Sequence, residues 1–193
     1  MLSRNIAEMK SLAKAHVEAD AVVAGTYWEA SNNAAGGRGC FIGCLVHSHE
    51  AAGVANKFGL PEPSVRIAEA IFERLPKSEW PRFFEAVPDA IGRDGKDLSR
   101  VHWAFLADVL RHLLPQTGEV KDAVDRVITG MDTLASGGVW LDAAHAAHAA
   151  HAADAAARAA ARVAARVAHA ADTADAETCR QRDVFLRLLN EAA

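Results

Sequence analysis

Apolar residues recur along most of this chain at intervals of three and four, the period of a helix with one buried face. Ile6, Met9, Ala13, His16 and Val17 open the pattern, and Val22, Val23 and Trp28 carry it on. The spacing predicts a helix over 5–29, with Gly25 the place for a break. Asn32, Asn33, Gly36, Gly37 and Gly39 then read as a turn-rich loop. A helix from Arg38 or Gly39 to Lys57 is expected next, stopped by Gly59 and Pro61. Val65, Ala68, Ile71, Phe72 and Leu75 form a stripe that predicts a helix over 64–75, with Pro63 suited to its first turn.

Ser78 is placed to cap a short helix carrying Trp80, Phe83, Phe84 and Val87, which Pro88 should end. Asp97 is placed to cap the next, where Val101, Phe105, Val109 and Leu113 line one face. Thr117 opens another, with Val120, Val124, Val127, Ile128, Met131 and Leu134 inward and Gly137 and Gly138 at its close. No stretch alternates with period two for long enough to make a strand. The class is all-α, a helical bundle of about six or seven helices.

The last fifty residues differ in kind. From Ala143 to Ala171 alanine dominates, punctuated by His145, His148, His151, Asp154, Arg158, Arg162, Arg166 and His169. At 100° per residue these polar positions share one half of the helical wheel. Alanine is the best helix former, so a long helix is expected, packed on the body or on a second copy. Val184, Phe185, Leu188 and Leu189 in the tail restore large apolar residues and suit an anchor. The expected division is a helical body over 1–140 and this helix over 141–193.

Composition narrows the picture. Half the residues are apolar, but much of that share is alanine, which buries little area, so the working core is smaller than 51% suggests. A formal charge of −4 argues against non-specific nucleic-acid binding, which needs a cationic surface. No apolar run approaches the roughly 18 residues of a membrane span, and the first residues lack a signal-type apolar block. Three cysteines make no even framework, and free thiols suit a reducing cytoplasm.

Chemistry concentrates between Asn32 and Glu50, NNAAGGRGCFIGCLVHSHE. If Arg38 onward is helical, Cys40, Cys44 and His47 fall on one face, a set compatible with a metal site or a metal-dependent hydrolase. The same small residues also suit close packing of a helix on a neighbour, and the spacing departs from a C-x₂-C knuckle. A second reading uses the loop. Gly37, Arg38 and Gly39 at a helix N-terminus would present amides, dipole and guanidinium to phosphate or carboxylate, with Asn32, Asn33 and His47 reading polar edges. An ordinary glycine linker is the alternative. GRDGKDLS fails as a phosphate loop, since Asp97 stands where Ser or Thr is needed, and a solvated turn is expected there. The three-residue spacing of the histidines suits a solvated face better than a shared metal, and the four tryptophans are expected mostly in core.

With these motifs laid out, the chain from Tyr27 onward resembles a family of uncharacterised prophage and bacterial proteins. Their core reads R-G-C-x-x-G-C-x-x-H, matched here by Arg38, Gly39, Cys40, Gly43, Cys44 and His47. Their following helix ends I-F-E-x-L-P, matched by Ile71, Phe72, Glu73, Leu75 and Pro76. A D-L-S-R-V-W segment is interrupted here by His102, and a terminal helix of alanine triplets closes both. The resemblance implies a phage-borne accessory role, counter-defence included, and carries no assigned activity. The leading expectation is a cytoplasmic, homo-oligomeric, non-catalytic protein that sequesters an anionic, nucleotide-like small molecule without a cofactor. The alternatives are an inhibitor that docks on a host defence protein through the alanine-rich helix, and the Cys40/Cys44/His47 hydrolase.

Overall fold

A computed structural model describes residues 1–112, 118–140 and 171–193. Among these the fold is all-α with one very small sheet. The elements are α1 (Ile6–Glu18), β1 (Trp28–Ala30), β2 (Gly37–Gly39), α2 (Phe41–Val46), α3 (Ala51–Phe58), α4 (Glu62–Phe72), α5 (Trp80–Ile91), α6 (Val101–Arg111), α7 (Gly118–Ala135) and α8 (Ala171–Glu191). By their contacts the residues fall into two units, Met1–His102 with Thr178–Ala193, and Trp103–Glu177. The boundary expected at residue 140 falls inside the second unit. No described helix is long and apolar enough to cross a membrane.

In the first unit α2 is the hub, touching α1, β2, α3 and α4, while α1 lies along α5. Phe41, Leu45, Phe58, Phe72, Phe83 and Phe84 are fully buried there. Phe185 and Leu189 of α8 are buried too, which is the anchor that the tail composition predicts. Burial of each is worth about 1.5–3 kcal/mol. Lys96 fixes the same helix end: its ammonium donates to the carbonyls of Leu189 and Asn190, both at 2.8 Å. A cation at a helix C-terminus meets both unpaired carbonyls and the negative end of the dipole. Lys96 is thus a buried clasp within the GRDGKDLS stretch, where a solvated turn was expected.

The second unit has its own core, where Ala107, Val127 and Met131 are buried and Trp103, Leu110, Ile128 and Trp140 pack against them. Trp140 lies on Gly130, where a Cβ would meet the indole at 2.2 Å. Thr117 and the alanine segment 141–170, with its histidine and arginine rows and the docking surface expected on them, lie outside the described residues.

Four sequence expectations change. The first helix ends at Glu18 rather than near 29, because Asp20 turns the chain with φ +49° and Ala21–Val23 then run beside Gly39. The loop thought to lead into a helix is instead a hairpin, with Trp28 opposite Gly39, Glu29 opposite Arg38 and Ala30 opposite Gly37. The helix expected over 38–57 is two helices, parted where His47 adopts φ +54°. Pro88 lies inside α5 and does not end it; the helix runs on to Ile91, and Gly92 donates back to the Pro88 carbonyl. Proline there removes one backbone donor but still offers its carbonyl.

Candidate functional site

The hairpin explains why glycine and cysteine crowd this part of the sequence. β1 is laid so closely across β2 and α2 that a Cβ on Gly39 would stand 2.1 Å from the Tyr27 carbonyl oxygen. At Gly43 the clash is worse and the backbone has no room for any side chain. Of the readings open for these small residues, close packing describes the glycines, though the neighbour is the backbone entering β1 rather than a helix.

Asn33, Gly37, Arg38 and Gly39 are occupied by the hairpin itself. Asn33 accepts from the amides of Ala35 and Gly37 at 3.1 and 2.8 Å and donates to the Gly37 carbonyl at 2.9 Å. The Gly39 amide is bonded to Ala21. Asn32 is exposed in the turn. Arg38 stands in β2, not at a helix N-terminus, and pairs across the hairpin with Glu29 at 2.8 Å, both half-exposed. An incoming anion would meet amides already bonded and a guanidinium already neutralised.

The metal set does not assemble either. Cys44 is buried and lies 3.2 Å from the Gly39 carbonyl oxygen, and burial pushes its thiol up to about 12. Cys40 is buried, and desolvation together with Glu69 raises its thiol still further. Neither is a ready thiolate. The αL turn at His47 carries that ring away from them and onto Trp28, where the two stack at 4.0 Å and 13°.

What the structure does bring together is Cys40, Glu69 and Glu73. Their ligand atoms lie within 4.8 Å of one another, the single such group of three among the described residues. Glu69 and Glu73 are one turn apart at the end of α4. The Ile42 amide donates to Glu69 at 3.1 Å and the Gly25 amide to Glu73 at 2.8 Å, so the carboxylates tie α4 to α2 and to the segment before β1. Beside them opens a cleft of about 320 Å³ lined by Gly25, Thr26, Tyr27, Glu69 and Glu73. None of the five is basic. Tyr27 is 58% exposed at its rim, unusual for so large a side chain.

Burial raises the Glu69 carboxyl above its ordinary range, and Glu73 adds to the rise by repulsion. The bonds from Cys40 and Ile42 oppose it without cancelling it. Ionising Glu69 therefore costs more here than in water. The sequence did carry a signal for it: Glu69 interrupts the apolar stripe of α4, one turn from both Val65 and Phe72, where a solvated carboxylate does not belong.

With this geometry, the first unit defines a helical body that carries an acidic cleft beneath a tight hairpin. Compared with known proteins, the chain matches no family model, no curated protein and no solved structure.

Proposed function

We propose that this protein is a binding protein whose cleft at Tyr27, Glu69 and Glu73 takes a small organic cation, an ammonium or guanidinium compound. One observation carries this: a carboxylate pair, one member raised by burial, lines an open cleft that has an aromatic rim and no basic residue. A cation would offset the repulsion between Glu69 and Glu73, and the Tyr27 ring adds an attractive face. A volume near 320 Å³ sits at the small end of ligand sites. The raised thiols of Cys40 and Cys44 favour binding over thiol chemistry.

Thermal-shift and calorimetric titration with agmatine, arginine, spermidine and choline, set beside cyclic and ADP-ribose-type nucleotides, tests it. Stabilisation by a cation that disappears in Glu73→Gln is the expected result. Stabilisation by a nucleotide, lost in Arg38→Ala and kept in Glu73→Gln, would replace it with the anion-sequestering, counter-defence proposal. That proposal requires Arg38 to leave Glu29.

A further inference from the structure

Diverting His47 from the cysteines takes it to another histidine. His16, on α1, is 2% exposed, and its ring centre lies 6.1 Å from that of His47, the planes at 61°. Its Nδ1 lies 2.9 Å from the Leu12 carbonyl oxygen, which only accepts, so Nδ1 carries the proton. The lone pair is therefore on Nε2. That atom is buried and has no hydrogen-bond partner, while Trp28, His47 and Phe84 surround the ring. A buried polar atom left this way is costly unless something completes it.

We infer that His16 and His47 together form a two-histidine site for an imidazole-preferring transition-metal ion, Zn²⁺ or Cu²⁺. Imidazole nitrogen is a proper ligand for both ions. Two imidazoles sharing an ion at the usual nitrogen distance of about 2.0–2.1 Å stand with ring centres about 5–6 Å apart. The observed 6.1 Å between ring centres lies just beyond that span. His47 is the partner free to move, being exposed, and Trp28 stacked on its face sets the plane of its ring. Solvent on that side supplies the remaining ligands. Lys57, the charged group that acts on His47, is itself neutralised by Glu8 at 2.9 Å.

The test is equilibrium dialysis of the full chain against ZnCl₂ and CuCl₂, followed by metal analysis. The chain carries His145→Ala, His148→Ala, His151→Ala and His169→Ala, so that the alanine segment does not compete. One equivalent bound is expected, weakened at least tenfold by His47→Ala and by His16→Phe and unchanged by Cys40→Ser. His47 is exposed, so its variant keeps the test decisive even if His16→Phe fails to fold, which circular dichroism reveals. Absence of stoichiometric binding, or binding undiminished in His47→Ala, overturns the inference. Loss in Cys40→Ser with His47→Ala unaffected also overturns it, and moves the ion to Cys40, Glu69 and Glu73. The cation cleft stands or falls separately, since Glu73→Gln leaves both histidines in place.

Discussion

Two acceptor–donor clusters flank the same hairpin, and they are in opposite condition. In the turn from Asn32 to Gly39 the amides of Ala35, Gly36, Gly37 and Gly39 are bonded within the hairpin or to Ala21, and Arg38 is paired with Glu29. The cleft around Glu69 and Glu73 sets two carboxyl groups side by side, Glu69 desolvated by burial, with no cation among its lining residues. The first cluster carries the conspicuous residues, yet they are consumed in making the turn. The second consists of two ordinary glutamates on a helix and is left unbalanced. Residues that look chemical in a sequence are often the ones a tight fold needs, and an unsatisfied group is the better guide to a ligand.

The comparison breaks first at Gly43. In Gly43→Ala the new methyl group has no space beside the Tyr27 carbonyl, so β1 must shift off α2. We expect a loss of about 3 kcal/mol or more in urea denaturation, with the cation cleft lost as well because Gly25–Tyr27 form its wall.

Glu69→Gln sharpens the contrast from the other side. A carboxyl raised by folding favours the protonated state, so its contribution to stability is present at low pH. It is lost as pH rises from the unfolded value of 4.5 through the folded one. The neutral variant should therefore melt higher than wild type at pH 7, with the gain shrinking toward pH 4. It should also bind the cation at least tenfold more weakly. A stability gain alongside a binding loss is the mark of a functional rather than a structural carboxylate.

The histidine beneath the hairpin gives a smaller effect of opposite sign. His47 is lowered from 6.5, chiefly by burial, so its contribution is fully present above pH 6.5 and is lost as pH falls through the folded value. His47→Gln should flatten the fall in melting temperature between pH 7 and pH 5. His102, lowered by desolvation, retains part of that slope. Smallest of all is Arg38→Ala. Arg38 and Glu29 form an exposed pair, and removing it should cost roughly 0–1 kcal/mol and leave cation binding unchanged.

The helices were legible where burial imposes a period. Val65, Ala68, Ile71 and Phe72 mark α4, and Val127 and Met131 lie in the buried core of α7, as their spacing requires. The hairpin was not. Strands of three residues, one of them Gly-Arg-Gly, are too short to show alternation, and their pairing partner is set by close backbone approach rather than by side chains. The break at His47 was equally hidden, because a non-glycine residue at positive φ has no clear sequence mark. Pro88 misled by a sound rule applied too strictly. At the site, Arg38 and the glycines were conspicuous for their type. Glu69 was readable only from its place within an apolar stripe, and its meaning depended on Tyr27 and Cys40 arriving from elsewhere in the fold.

The claim beneath this account is that Glu69 is held in an electrostatically unfavourable state that a bound cation relieves. Carboxyl-carbon NMR of Glu69, titrated with pH in the absence and presence of saturating agmatine, measures it directly. The account predicts a midpoint above the ordinary glutamate value that drops when agmatine binds. A midpoint at or below the ordinary value, unmoved by agmatine, spermidine or choline, would contradict it.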